Sequence, residues 1–220
     1  KKTTLIFSLL STSLFFAQGK CPFNFDSKHT NTPTASVQET QPLAEQNAPT
    51  QTMNVFKPIT PNTNKDWWPN QSEEYKNAII KIGKDFKRVI DYLETRNDLD
   101  IKKLSYLGYS WGSVTSNILL AIDERVKSAA IFIGGLMLQK SRKEIEAHFY
   151  LRRIKIPILH IVGKLDGIFE YEDSFLPWNK LIGTPKEDKF IIAIDDAGHG
   201  DGISTDIRIK NHLELLKKYN

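Results

Sequence analysis

The sequence predicts an α/β fold in which a mostly parallel sheet has helices on both faces. Four short segments are almost continuously apolar and rich in branched residues, which is typical of strands buried on both faces of a parallel sheet. Between them lie stretches whose apolar residues recur every three or four positions, and this spacing gives a helix one buried face. The alternation of the two kinds of segment indicates a layered α/β domain.

The first helix is predicted to begin after Ser72, whose hydroxyl can cap it. Its apolar positions form one stripe toward the core and are Tyr75, Ile79, Ile82, Phe86, Val89, Ile90 and Leu93. Asn97-Asp98 is expected to end this helix. The first strand then follows at residues 104–107 and is stopped by Gly108.

Three further apolar segments predict the rest of the sheet, at residues 129–133, 157–162 and 190–194. A buried helix is predicted over residues 114–122, between the first two strands. The spacing of Ser141 and Glu144 is that of a capping box, which predicts a helix running toward Tyr150. The last helix is expected to begin at Thr205 as its cap, with an inner face made of Ile209, Leu213 and Leu216.

The first 19 residues have the pattern of a bacterial-type secretory signal peptide. Lys1 and Lys2 precede an apolar run that is shorter than the roughly 20 residues of a membrane-spanning helix. Ala17-Gln18-Gly19 then offers small residues for cleavage. We therefore predict a secreted or periplasmic protein with no transmembrane helix after signal removal, and an uncleaved N-terminal anchor is the alternative.

Residues 20–66 are predicted to form a disordered polar linker. Ser, Thr, Asn, Gln and Pro dominate this stretch, and such a composition cannot bury a core. The folded domain is accordingly predicted over residues 67–220.

The overall composition excludes several classes of protein. Hydrophobic residues make up 40% and charged residues 25% of the chain, which excludes wholesale disorder. The net charge of +4 comes without a clustered basic stripe, so no nucleic-acid partner is expected. A single cysteine excludes a disulfide framework and a cysteine-based metal cluster within one chain. No metal-ligand spacing or phosphate-binding loop predicts a metal ion or another cofactor.

The pentapeptide Gly108-Tyr109-Ser110-Trp111-Gly112 lies between a predicted strand and a predicted helix. It is a weak signal alone, because about one chain in fifteen of this length would contain such a pattern by chance. A serine on a sharp strand-to-helix turn projects its hydroxyl from the sheet, however, and the helix N-terminus favours developing negative charge. Ser110 is therefore a candidate nucleophile, and an ordinary glycine-rich loop is the alternative.

A serine nucleophile needs a base and a carboxylate that orients the base. His199 is the candidate base, because it follows the last predicted strand in a glycine-flanked loop. His160 lies within a predicted strand, where a satisfied core histidine is expected.

Asp166 is the candidate carboxylate, because it directly follows the third predicted strand. Asp195 and Asp196 lie closer to the histidine in sequence and remain alternatives, and Asp173 is a weaker one.

At these residues the chain resembles the C-terminal half of an α/β-hydrolase, nearest to the dienelactone hydrolase, acetyl xylan esterase and prolyl-oligopeptidase-like group. The likeness spans about residues 67–219 and rests on three motifs: Gly-Tyr-Ser-Trp-Gly at 108–112, Ile-Pro-Ile-Leu-His-Ile-Val-Gly-Lys-Leu-Asp at 156–166, and Asp-Ala-Gly-His at 196–199. The resemblance implies that Ser110 is the nucleophile, Asp166 the orienting acid and His199 the base. It implies a serine hydrolase that forms an acyl-enzyme, acting on a small-molecule or carbohydrate ester or on a peptide.

The chain departs from this group before the nucleophile strand. Several strands normally precede that strand, and here polar linker stands in their place, so the N-terminal strands are expected to be largely missing. The nucleophile strand would then have an unpaired edge. A partner chain that completes the sheet is one expectation, and the alternative function is a catalytically impaired remnant that acts as a binding or scaffold protein.

Residues beside the nucleophile have expected roles of their own. The backbone N–H of Trp111 is expected to serve as one oxyanion donor. Tyr109, Trp67, Trp68 and Phe169 are candidates for contacts with substrate, with core packing as their alternative role. Ser113 stands where such families often have glycine, and it is expected to loosen the helix–strand packing slightly.

Overall fold

The computed structural model describes residues 68–219 and the backbone of residues 6–8. Five parallel strands form one sheet, in the order β1-β2-β3-β4-β5. The strands are β1 (Ile6–Ser8), β2 (Ser105–Tyr109), β3 (Ser128–Phe132), β4 (Ile158–Gly163) and β5 (Lys189–Ile194). The helices are α1 (Glu73–Glu94), α2 (Trp111–Ile122), α3 (His148–Leu151), α4 (Leu176–Leu181) and α5 (Thr205–Tyr219).

The order of the strands decides where the helices lie. Crossovers between parallel strands are right-handed in nearly all proteins. When the strands lie in the sheet in the same order as in the chain, all crossover helices are therefore on one face. Side chains of α1, α2 and α4 pack there against alternate strand residues such as Tyr106 and Ile131. α5 follows the last strand and packs on the opposite face, where Leu215 joins Phe132 and Leu159. The prediction of a parallel sheet with helices on both faces is confirmed.

Helix α1 has the cap and the buried stripe that its sequence predicts. The hydroxyl of Ser72 accepts a hydrogen bond from the N–H of Tyr75 at 3.1 Å. Phe86 and Ile90 are almost completely buried, as a stripe facing the sheet requires. The helix ends at Glu94, slightly before the predicted boundary.

Two of the predicted helix caps are wrong. Only a short turn and α3 follow Ser141, and its N–H donates to the carboxylate of Glu146 at 2.8 Å, so Glu144 is not its partner. α5 is capped by Ser204 instead of Thr205, because the Ser204 hydroxyl accepts from the N–H of the third helical residue at 3.2 Å.

The predicted inner face of α5 is also partly wrong. Ile209 and Leu213 are 53% and 46% exposed, whereas His212, Leu215 and Leu216 are buried. A count of apolar residues misjudges this helix because one of its core positions is a histidine. The helix is rotated so that this imidazole packs near the sheet.

Strand β1 pairs in parallel with β2, with Ile6 opposite Ser105 and Ser8 opposite Leu107. The expectation that the nucleophile strand has an unpaired edge is therefore wrong, and one strand before it is present. The physical reason is that an apolar run has the same composition in a signal peptide and in a buried parallel strand. Apart from these three residues, the predicted signal peptide at 1–19 and linker at 20–66 lie outside the described residues.

Within residues 68–219, every helix is too short or too polar to cross a bilayer. The same part of the chain contains no group of histidine, cysteine and acidic side chains placed to hold a metal ion.

His160 lies in the middle of β4 with no exposed surface, edge-on to Phe175 and Trp178. The prediction of a core histidine is right about its place, but among the described residues neither ring nitrogen has a hydrogen-bond partner. Burial lowers the pKa of His160 to about 3. The nearby backbone of Gly134 favours the protonated ring and so opposes this shift, but only in part, because it is not placed for a hydrogen bond to either ring nitrogen. The imidazole is therefore neutral in the folded protein at neutral pH.

We expect acidification to destabilise the protein through His160. Its pKa is about 3 when folded and 6.5 as the ordinary value, so between these values the unfolded chain binds one more proton. The free energy of unfolding should fall as the pH falls, by about 2 kcal/mol between pH 7 and pH 5 from this group. Urea unfolding at the two pH values measures the loss, and His160→Leu should remove it.

His212, whose pKa burial also lowers, should contribute a loss of the same sign that persists in His160→Leu. An identical pH 7 to pH 5 difference in wild type and His160→Leu would contradict this account.

Candidate active site

Ser110 occupies the sharp turn between β2 and α2. Its φ of 51° and ψ of −109° form a conformation that costs a residue with a side chain about 1–3 kcal/mol. The N–H of Ser110 donates to the carbonyl of Phe132 on β3 at 3.0 Å. Its own carbonyl accepts from the N–H groups of Ser113 and Val114 at 2.9 and 3.1 Å. The neighbouring strand and the first turn of α2 thus hold the strained serine on both sides.

Gly108 makes this turn sterically possible. A Cβ at position 108 would come within 2.8 Å of the carbonyl oxygen of Gly112 and of the Tyr106 ring. That carbonyl in turn accepts a hydrogen bond from the Tyr106 hydroxyl at 2.6 Å. Only glycine at 108 lets the strand and the helix approach so closely.

Ser113 tightens the turn, so the expectation that it loosens the packing is wrong. Its hydroxyl lies 2.7 Å from the Phe132 carbonyl oxygen and 3.0 Å from that of Gly108, and it donates its proton to this pair of acceptors. The space for its side chain exists because residue 134 is glycine: a Cβ there would overlap with the Cβ of Ser113. Ser113 therefore connects the first turn of α2 to β2 and β3.

The three predicted catalytic side chains meet at one end of the sheet. The Oγ of Ser110 lies 2.9 Å from Nε2 of His199, and Nδ1 of His199 lies 2.8 Å from Oδ2 of Asp166. They come from the turns after β2, β5 and β4, whose carboxyl ends share one edge of the parallel sheet. Such an unbroken series of contacts can pass a proton from the hydroxyl to the imidazole.

Asp166 is almost completely buried, with 4% of its surface exposed. Its Oδ1 accepts from the N–H groups of Ile168 and Phe169 at 2.8 and 2.9 Å, which leaves Oδ2 for the imidazole. A buried carboxylate is costly unless it is hydrogen-bonded, and these three contacts meet that requirement.

The other candidate carboxylates lie elsewhere. Asp195 forms an ion pair with Lys164 at 2.6 Å, and its side chain is 83% exposed. Asp196 and Asp173 are exposed as well. In the described part of the chain, the hydrogen-bonded carboxylate of His199 is that of Asp166.

The loop that carries His199 packs closely on the end of β4. A Cβ on Gly163 would overlap with the carbonyl oxygen of Ala197, which accepts from the N–H of Leu165 at 2.9 Å. After the histidine, Gly200 has a φ of 90°, a value that residues other than glycine rarely adopt. The glycines of this loop therefore bring the imidazole of His199 against the carboxylate of Asp166.

Two of the residues predicted to contact substrate lie next to the relay formed by Ser110, His199 and Asp166. Phe169 is only 4% exposed, and its ring centroid lies 5.6 Å from that of His199, with the rings tilted by 35°. Tyr109 is the last residue of β2 and is partly buried, with the guanidinium of Arg208 5.3 Å from the centroid of its ring.

The tryptophans occupy different positions. Trp111 is the first residue of α2, so its backbone N–H lies at the helix N-terminus directly after Ser110. Trp68 is 38% exposed at the start of the main described range. Trp67 lies outside the described residues.

The end of β3 is a part of the site that sequence reasoning missed. The Phe132 carbonyl holds Ser110 and Ser113, and no sequence pattern marks a backbone oxygen for this role. The next residue, Ile133, has a φ of 45°, which is rare for a β-branched side chain, and its N–H donates to the Ile161 carbonyl at 2.8 Å. Gly134, which lies against the side chain of Ser113, follows directly.

Sequence comparison finds one matching family. The sequence model of the family described as serine hydrolase FSH1 matches residues 10–176. This range contains Ser110 and Asp166, and it ends before His199. No curated protein matches the chain in sequence.

Several solved structures share the fold. TT1662 from Thermus thermophilus is 20% identical, with a TM-score of 0.54 over 66% of this chain and 65% of that one. A putative dienelactone hydrolase from Klebsiella pneumoniae is 14% identical, with a TM-score of 0.50 over 64% and 62%. A cold-adapted esterase from an Arctic intertidal metagenomic library is 15% identical, with a TM-score of 0.51 over 66% and 60%. The chain thus spans less than two thirds of the length of each, and the likeness shows an α/β-hydrolase fold.

We expect Gly134→Ala to destabilise the protein by about 1–3 kcal/mol, as overpacking does in a filled site. The new methyl group would overlap with Ser113, which cannot move without breaking its contacts with two carbonyls. Urea unfolding measures the loss. Gly167→Ala is the matched control and should change stability little, because a Cβ there meets no atom within 4 Å.

Removing the Ser113 side chain should relieve the clash. Adding Ser113→Gly to Gly134→Ala should recover part of the lost stability. The double variant should therefore lose less free energy of unfolding than the two single variants lose together. Strict additivity of the two substitutions would show that the contact across the turn is absent.

Proposed function

The chain belongs to the FSH1 family of serine hydrolases, and from this we propose that it hydrolyses an ester, or alternatively a peptide bond, through an acyl-enzyme on Ser110. One observation carries the proposal: the imidazole of His199 lies within hydrogen-bonding distance of both the Oγ of Ser110, at 2.9 Å, and the carboxylate of Asp166, at 2.8 Å. A serine hydroxyl is a weak nucleophile, and this arrangement supplies the base that it needs.

In the proposed first half-reaction, the Oγ of Ser110 attacks the acyl carbonyl carbon while its proton passes to Nε2 of His199. Asp166 accepts from Nδ1–H, so the neutral imidazole presents its lone pair to the serine, and the carboxylate stabilises the imidazolium that forms. The imidazolium then protonates the leaving alkoxide or amine, and the acyl group stays on the serine.

The second half-reaction repeats these roles with water. His199 takes a proton from a water molecule, whose oxygen attacks the acyl carbon. The bond from that carbon to Oγ breaks, the imidazolium returns its proton to Ser110, and the carboxylic acid leaves. The serine is then ready for the next substrate.

Negative charge on the carbonyl oxygen needs hydrogen-bond donors during both half-reactions. We propose the backbone N–H of Trp111 as one donor, because it begins α2 next to the nucleophile. The dipole of this helix favours charge at the same end.

The names of similar structures favour an ester over a peptide as the substrate. One is an esterase and another a putative dienelactone hydrolase. A small-molecule or carbohydrate ester is accordingly our proposed substrate class, with no nucleic-acid partner. β1 lies along the edge of β2, and a partner chain that completes the sheet stays a prediction.

Secretion is a separate proposal that rests on the signal-like pattern of residues 1–19. It competes with the pairing of Ile6–Ser8 and Ser105–Leu107, because a removed segment cannot supply β1. Expression of the full chain in a bacterium, followed by N-terminal sequencing of the folded protein, should give a start at Lys20 or Gln18 if the signal is cleaved. A folded, active protein that retains residues 6–8 would overturn the proposal of a cleaved signal.

The proposed catalytic role of Ser110 predicts covalent labelling by a fluorophosphonate probe and hydrolysis of p-nitrophenyl acetate. Ser110→Ala should abolish the label, because no other serine of the described chain bonds to His199. Ser204→Ala is the matched control and should label like the wild type, since this exposed hydroxyl only caps α5.

Mass spectrometry of the labelled peptide locates the modified residue. A wild-type protein that folds but shows neither label nor ester turnover would contradict the hydrolase proposal and favour a binding or scaffold protein. Equal labelling of Ser110→Ala and wild type would contradict the assignment of the nucleophile.

A further inference from the structure

We propose that Phe169 is a positioning residue of the catalytic relay: its backbone holds Asp166 and its ring bounds the imidazole of His199. The inference rests on the proposed hydrolase function and deepens it. It assigns Phe169 to the support of the acid and the base, in place of a role in binding substrate.

Phe169 touches both members of the acid–base pair. Its N–H donates to Oδ1 of Asp166 at 2.9 Å, and its ring lies 5.6 Å from the His199 ring, centroid to centroid. The distance and the 35° tilt are within the range of favourable aromatic contacts. With 4% of its surface exposed, the side chain offers a substrate very little area.

The imidazole needs such a contact because its hydrogen bonds do not fix its orientation alone. The contacts of Nδ1 with Asp166 and of Nε2 with Ser110 leave rotation of the ring about the line through these partners unopposed. The N–H groups of Gly198 and Gly200 donate to the carbonyls of Asp201 and Gly198 at 3.0 and 2.9 Å, and these bonds hold the loop backbone but do not set the rotation of the ring. A buried ring packed beside the imidazole opposes this rotation.

The need is greatest after acylation. Esterified Oγ carries no proton to donate, so the hydrogen bond from Ser110 to Nε2 is lost in the acyl-enzyme. Asp166 and Phe169 then hold the imidazole while it activates water. Loss of the ring should therefore slow deacylation more than acylation.

Phe169→Leu tests this inference, with Phe175→Leu as the matched control. Phe175 is also buried and also lies against a histidine, 5.2 Å from His160, but it does not touch the relay. Stopped-flow hydrolysis of p-nitrophenyl acetate separates the acylation burst from the steady state. For Phe169→Leu we expect a retained burst, a kcat lowered about ten- to a hundredfold and a KM that does not rise.

Phe169→Tyr keeps a ring beside the imidazole and should retain more of the wild-type kcat than Phe169→Leu. Thermal unfolding of all variants reports the cost of packing, which Phe169→Leu and Phe175→Leu should share. If the Leu variant fails to fold, Phe169→Met replaces it, because a methionine fills the same space without a ring and should show the same retained burst and lowered kcat.

Three results would overturn the inference. An equal fall of kcat in Phe169→Leu and Phe175→Leu would indicate general packing, and a raised KM with unchanged kcat would indicate a substrate contact. A Phe169→Tyr variant that folds but deacylates as slowly as Phe169→Leu would show that the ring contact is not the restraint. Failure of the hydrolase proposal looks different, because wild-type protein would then show no burst dependent on Ser110.

Discussion

The hydrogen bond from the N–H of Ser110 to the carbonyl of Phe132 is the contact on which the site depends. It ties a strained turn to the neighbouring strand, and the hydroxyl of Ser113 reaches the same oxygen. The strain is of the order of 1–3 kcal/mol, and a hydrogen bond contributes about 1 kcal/mol, so several contacts are needed to hold the turn. Relaxation of this backbone would move the Oγ out of line with His199.

The parallel sheet supplies the rest of the arrangement. Because the carboxyl ends of β2, β4 and β5 lie at one edge, three short turns bring together residues up to 89 positions apart in the chain. The turn after β4 is closed by Asp166, which accepts two backbone N–H groups within it. The histidine loop is rich in glycine and takes its position from contacts with that turn.

Several differences between prediction and structure have identifiable physical causes. Sequence periodicity counts apolar residues only, so the buried His212 concealed the true inner face of α5. Composition does not distinguish the apolar run of a signal peptide from a buried parallel strand, so the pairing of residues 6–8 was not foreseen. A mid-strand histidine likewise suggested hydrogen bonds for His160, whereas the structure surrounds it with aromatic rings.

The sequence by itself determined the layered α/β class, the Ser72 cap, and the three residues Ser110, Asp166 and His199 in their order after predicted strands. These features depend on neighbours within a few positions, so they leave a local pattern. Only the tertiary structure decided that β1 lies beside β2, that Ser113 tightens the turn, and that Phe169 borders the imidazole. Such contacts join distant parts of the chain, and the pattern of residues along the sequence shows that a residue is buried but not which distant residue it meets.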